Sequence, residues 1–230
     1  MSGWTNGKKI YKAIELAANA LKEADALADL VYISLEEKVN ASKDIHFIGD
    51  VYFDSDLRTT VTGDVTTDWA NSFFLKSATR KKNTELTIQI QYSLCGEYMT
   101  SDELLNEEPL IFIGICTGHD PISFDSDNSY SLENVLLPTT KILNSVFLTN
   151  SDNEVDGDFS WCCYVLRLTS VNNQQDVLNK IVDPVLKMAE LRLMDGRLTV
   201  ETLDELALKI GSGMAKFTTT NGKYSISFQD

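Results

Sequence analysis

Thr84-Glu85-Leu86-Thr87-Ile88-Gln89-Ile90-Gln91-Tyr92-Ser93-Leu94-Cys95 is the clearest strand in the chain, and the fold is read outward from it. Leu86, Ile88, Ile90, Tyr92 and Leu94 fall on one side; Glu85, Thr87, Gln89, Gln91 and Ser93 fall on the other. That two-residue period is the pleat of a strand. An apolar face backed by a polar one predicts a sheet with one side buried and one side wet, which indicates antiparallel pairing. The next apolar run, Leu110-Ile111-Phe112-Ile113-Gly114-Ile115-Cys116, has no polar alternation and is expected to be a central strand covered on both sides.

Further strands flank this pair. Ile45, Phe47, Val51 and Phe53 alternate with more polar neighbours, Arg58 to Thr66 and Trp69 to Lys76 have strand character, and Phe159 to Thr169 reads as a second buried strand. Lys216 to Phe228 closes the chain as two strands around Asn221-Gly222, the preferred type I′ hairpin turn. Glu133 to Thr149 stays open between helix and strand, although Pro138 stops any helix there.

Three helices complete the pattern. From about Gly7 to Asn40, the residues Ile10, Ile14, Ala17, Leu21, Ala24, Ala28, Val31 and Leu35 alternate spacings of four and three. This is a heptad seam on a helix about 50 Å long at 1.5 Å per residue. Leu16, Leu27, Leu30 and Ile33 widen the apolar face beyond a two-stranded seam. A helix laid across the sheet is therefore the first reading, and a helical dimer seam the second. Gln174 to Met194 forms a helix that Pro184 must kink or restart and that Asp195-Gly196 stops; Thr199 to Ile210 forms a shorter one. The expected fold is α+β, with a largely antiparallel sheet of about six to eight strands, a long N-terminal helix, two helices near the C-terminus and a terminal β-hairpin. Residues 1–230 are read as a single domain, within which 171–230 is a candidate helical and hairpin subdomain.

Charge is distributed unevenly along this frame. From Asn83 to Leu166 there are fourteen Asp and Glu residues and one base, Lys141, so this stretch holds −13 of the formal net charge of −14. Such segregation makes a field that favours a basic protein partner and opposes direct nucleic-acid binding, which depends on counterion release by Lys and Arg. The acids nominated for contact are Glu97, Asp102, Glu103, Glu107, Glu108, Asp125 and Asp127, within the loops 97–108, 120–127 and 152–158. A basic cluster, Lys76, Arg80, Lys81 and Lys82, precedes the acidic half. It reads as a solvated turn, or as a tip for self-association that would give a homodimer.

Composition limits the chemistry. No run of eighteen apolar residues occurs, so no membrane span is expected, and the opening residues lack the apolar core of a signal peptide. A cytoplasmic protein with four thiols, Cys95, Cys116, Cys162 and Cys163, is the simplest reading. Neighbours Cys162 and Cys163 point to opposite faces of a strand and make a poor disulfide. No phosphate-cradling glycine loop or zinc spacing occurs, and no cofactor is expected. Lone His46 reads as a structural strand residue, and the helix-turn-helix likeness of Leu203 to Gly211 lacks a recognition helix.

Two weak chemical candidates remain. Cys116, His119 and Asp120 place a thiol, a base and an acid within five residues at a strand end, the composition of a small cysteine hydrolase. Such groups are usually assembled from distant segments, so a local triplet argues poorly for catalysis. Asp152, Glu154, Asp156 and Asp158, followed by Phe159 and Ser160, imitate the start of a calcium loop over 152–160. The twelfth position is Cys163 where a bidentate Glu is needed. The preferred expectation is a non-enzymatic interaction module of the inhibitor, immunity or chaperone kind, with the hydrolase as the alternative.

Overall fold

The computed structural model describes residues 3–48, 52–54, 68–77, 85–93, 109–117, 140–150, 161–194, 198–220 and 223–228. The fold is α+β. Helix α1 (Gly3–Ala41) leads into strands β1 (Ile45–Phe47), β2 (Tyr52–Asp54), β3 (Asp68–Ser77), β4 (Glu85–Ser93), β5 (Leu110–Thr117), β6 (Thr140–Leu143), β7 (Phe147–Asn150) and β8 (Trp161–Arg167). Helices α2 (Gln174–Asp176), α3 (Asp183–Met194) and α4 (Val200–Ile210) follow, and β9 (Ala215–Thr220) and β10 (Lys223–Phe228) close the chain as an antiparallel pair. The eight-stranded sheet runs β1-β3-β4-β5-β8-β7-β6, with β2 also on β3 and every pairing antiparallel. The predicted strand at 58–66 lies outside the described residues, as does the Asn221-Gly222 turn between the paired β9 and β10.

β5 is central, and both its faces are buried. Ile111, Ile113 and Ile115 join Ile88, Ile90, Tyr92, Tyr164 and Leu166 in one core, closed by the helices. Leu110 and Phe112 join Leu148, Cys163 and Val165 in a second core, closed by Ala215 and Phe217 of β9. Cys162 and Cys163 therefore belong to different cores. The hairpin is held to the sheet by the Arg167 N–H bond to Gly213 O (2.9 Å) and the Phe217 N–H bond to Ser145 O (2.6 Å). The Arg167 guanidinium also lies 4.4 Å from the Phe228 ring centre. Gly213 (φ +89) approaches so close that a Cβ there would sit 2.3 Å from the Ser170 side chain, which only glycine avoids.

One expectation is corrected. The polar face of β4 is not wet: Thr87, Gln89 and Gln91 are 0%, 5% and 1% exposed. Alternation reports which residues share a face, whereas exposure depends on what covers that face. Helix α1 packs on the sheet as expected, with the Tyr32 ring stacked on Phe73 of β3 at 6.1 Å between centres. Ala24, Ala28, Val31, Leu35 and Val39 are buried, packing against β1 and the start of the C-terminal helical run, but every described side chain from Lys8 to Glu23 is exposed. Within the undecided segment, the described residues from Thr140 onward form the β6–β7 hairpin, turned by Asn144 (φ 52) and Ser145 (φ 63), two consecutive left-handed residues as in a type I′ turn.

Pro184 restarts the C-terminal helix in a specific way. Asn173 caps α2 by accepting the Asp176 N–H at 3.0 Å. Between α2 and α3 the chain widens into a π turn, Val177–Val182, with the Asp183 N–H reaching Leu178 O. A proline at 184 has no N–H for the carbonyl four residues back, that of Lys180. The phenol of Tyr164 on β8, beneath the helix, donates to that carbonyl at 2.7 Å instead. Burial raises the Tyr164 pKa, with neighbouring Cys162 adding to it, so the phenol keeps the proton it donates. Tyr164→Phe should cost about 1–3 kcal/mol in denaturant unfolding, the cost of an orphaned buried carbonyl. Pro184→Ala in that background, by returning an N–H, should recover part of the loss. A Tyr164→Phe protein as stable as the parent would show that this bond is dispensable.

Candidate functional site

The sheet register fixes where the acidic segments are tethered. Thr117 of β5, Thr140 of β6, Asn150 of β7 and Trp161 of β8 lie at one end of four neighbouring strands, aligned through Cys116 opposite Trp161, Trp161 opposite Asn150 and Asn150 opposite Thr140. Segments 118–139 and 151–160 both begin and end there. Together they carry Asp120, Asp125, Asp127, Glu133, Asp152, Glu154, Asp156 and Asp158 and no Lys or Arg. Segment 94–108, with Glu97, Asp102, Glu103, Glu107 and Glu108, is tethered at the opposite end, where Ser93 pairs with Leu110. Thirteen of the fourteen carboxylates lie outside the described residues; Glu85, opposite Lys76, is the exception. The basic residues 80–82 also lie outside them, in a segment that joins Ser77 to Glu85 at the Thr117 end.

The catalytic candidate is only partly in view. Cys116 occupies the next-to-last position of β5 with 5% exposure, facing Thr87 and Trp161 across the strands. The space beside it, among Leu86, Thr117, Trp161 and Arg192, is about 10 Å³, room for roughly one water. His119 and Asp120 lie outside the described residues, as do Cys95 and the 152–158 loop. Among the described residues, no three His, Cys, Asp or Glu side chains converge as metal ligands. His46 stands exposed on β1. No helix among these residues is long and apolar enough to cross a membrane.

Sequence reasoning missed a cleft of about 430 Å³ formed where α1 ends beside α3 and α4. Ile45, Leu186 and Leu206 are buried against it, while Lys187, Glu190, Thr202 and Glu205 stand around it. Asp183 is shared by two lysines of the lining, Lys38 at 3.1 Å and Lys209 at 3.8 Å. These residues come from three separate helices and a strand, each unremarkable within its own segment. Only the fold brings them together, so no local motif could have flagged the cleft. Among the described residues its lining combines an apolar floor with paired charges.

Set against protein-family models, curated proteins and solved structures, the chain matches none of them.

The buried thiols give the sheet a measurable pH response. Burial pushes Cys162 well above the usual thiol range, with Cys163 adding to it, and burial alone pushes Cys163 up strongly. The neutral form is favoured by folding, so the stabilisation is complete below the unfolded thiol pKa of about 8.5 and declines as pH rises above it, by about 1.4 kcal/mol per pH unit for each thiol. Urea midpoints should therefore fall between about pH 8.5 and 10.5, and fall less in Cys163→Ala. An identical decline in that variant would remove the thiol from the account. In native protein at neutral pH, Cys116, Cys162 and Cys163 should resist iodoacetamide until denaturant is added.

Proposed function

We propose that the chain is a non-enzymatic interaction module that offers an acidic surface to a basic protein partner, in the manner of an inhibitor, immunity protein or chaperone. The observation that carries this reading is the common tether of segments 118–139 and 151–160. Eight carboxylates with no intervening base are attached across four adjacent strands, a width of about 14 Å at 4.8 Å per strand. Like charges at that density raise the local potential, speed encounter with a cation-rich surface and penalise the wrong partner. Asp120, Asp125, Asp127, Asp152, Glu154, Asp156 and Asp158 are the contact residues of this end, and Glu97, Asp102, Glu103, Glu107 and Glu108 those of the other.

The alternative, hydrolysis by Cys116 with His119 and Asp120, needs a thiolate open to substrate. The burial of Cys116 gives it no support. A cytoplasmic setting suits the proposal, because the described cysteines are buried thiols outside any disulfide.

The test is capture from the native host, using wild-type bait beside a variant with Asp120, Asp125, Asp127, Asp152, Glu154, Asp156 and Asp158 changed to Asn or Gln. A second variant neutralises the five acids of 94–108. The captured protein should be basic, its association rate should fall about tenfold or more between low salt and about 0.5 M salt, and one of the two variants should lose it. A partner that binds equally in high salt and to both variants would defeat the reading.

A further inference from the structure

The cleft among the end of α1, the start of β1, α3 and α4 has the size of a small-molecule site, about 430 Å³. Its charges are of both signs and unevenly placed. Lys38 and Lys209 converge on Asp183 at 3.1 Å and 3.8 Å, so one carboxylate faces two ammonium groups and that corner keeps a positive charge. Lys209 at the end of α4 meets Asp183 at the start of α3, while residues 195–199 join the other two ends, so the helices run antiparallel. Glu190 lies further along α3, about 10 Å from Asp183 at 1.5 Å per residue. Glu205 lies one turn before Lys209 on α4, displaced toward the same end of the cleft. Among the described residues, neither glutamate has an ion-pair partner within 4 Å. Ile45, Leu186 and Leu206 form an apolar floor between these poles.

We infer that the cleft binds a short peptide with free ends and an apolar side chain, its carboxylate at the Lys38–Lys209 pole and its ammonium at the Glu190–Glu205 pole. The lining holds three bases, Lys38, Lys187 and Lys209, and three acids, Asp183, Glu190 and Glu205. A balanced lining gives no overall preference to a simple cation or anion. It selects a molecule that carries both charges at a matching separation. An extended tripeptide spans about 10 Å at 3.3–3.6 Å per residue, the interval between the poles. The Lys38 and Lys209 side chains are 49% and 54% exposed, and pairs this exposed contribute little to stability. Both lysines can therefore turn from Asp183 to a ligand carboxylate at small cost. The peptide amides also have partners on the rim, where Lys187 donates and the Thr202 hydroxyl donates or accepts. No residue of this lining belongs to the acidic stretch 83–166, so the site stands independently of the acidic-surface reading.

Calorimetric titration of the full chain with Ala-Leu-Ala should show one site with a Kd on the order of 0.1 mM, the efficiency usual for ligands of this size. The N-acetylated and the C-amidated peptide, each lacking one charge, should bind about tenfold more weakly. Glu190→Gln combined with Glu205→Gln should weaken the free peptide about tenfold and leave the acetylated one unchanged. Lys209→Met, which leaves Lys38 and Asp183 as a neutral pair, should weaken the free peptide and leave the amidated one unchanged. These crossed dependences separate a lost contact from misfolding, since a misfolded cleft loses all three peptides together. The ω-aminooctanoate ion, with both charges but no amides, should bind more weakly than the peptide, and equal binding would overturn the choice of a peptide. Equal binding of the three peptides, tighter binding of a blocked form, or no binding of the free peptide at concentrations about a hundredfold higher overturns the inference. So does a free-peptide affinity indifferent to both variants.

Discussion

Burial of β5 on both faces is the constraint from which the rest of the architecture follows. Ile111, Ile113 and Ile115 need a cover on one side, and Leu110 and Phe112 need one on the other. Each large side chain contributes about 1.5–3 kcal/mol only while water is kept from it. The chain meets the first demand with α3 and the π turn and the second with β9 and β10. Both covers over β5 come from residues after β8, whereas α1, ahead of the sheet in sequence, packs on β1 and β3. The helical cover must also tolerate Pro184 directly over the sheet. It does so because β8 presents a phenol where the helix lacks an N–H, a compensation between layers that neither segment reveals alone.

Periodicity made the framework legible. Leu86 to Tyr92, Leu110 to Cys116 and the apolar positions of Gln174 to Met194 name their elements because each element repeats at its own period along the chain. Cys162 and Cys163 sort into separate cores for the same reason. What depends on a second segment was not legible. The β6–β7 turn uses Asn144-Ser145, which adopts the left-handed conformation without the glycine that announces it. The heptad of α1 says that a stripe seeks burial, but not that Tyr32 meets Phe73 of β3. The cleft beside Asp183 exists solely because distant residues meet.

The polar stripe of β4 carries a separate lesson. Antiparallel pairing was inferred from a wet face, yet the pairing is antiparallel and the face is buried. Gln89 lies beside Gly114 and Gln91 beside Phe112. Among the described residues, neither amide oxygen has a hydrogen-bond partner, a cost of about 1–3 kcal/mol for each. A buried face with polar side chains specifies its cover more narrowly than an apolar one does, since a cover without donors leaves that cost standing.

Strand parity sends the tethers of the acidic half to both ends of the sheet. Successive antiparallel strands send their connections to alternate ends, so 94–108 is tethered opposite 118–139, while the β7–β8 link at 151–160 returns to the Thr117 end. β5 has eight residues and spans about 26 Å at 3.3 Å per residue, roughly three Debye lengths at physiological salt. At the Thr117 end, the segment bearing Arg80, Lys81 and Lys82 is attached to β3 and β4, about three strand spacings from the middle of the β8–β7 pair that tethers 151–160. The basic and acidic segments of this end are therefore attached to different strands, β3 and β4 against β5, β6, β7 and β8.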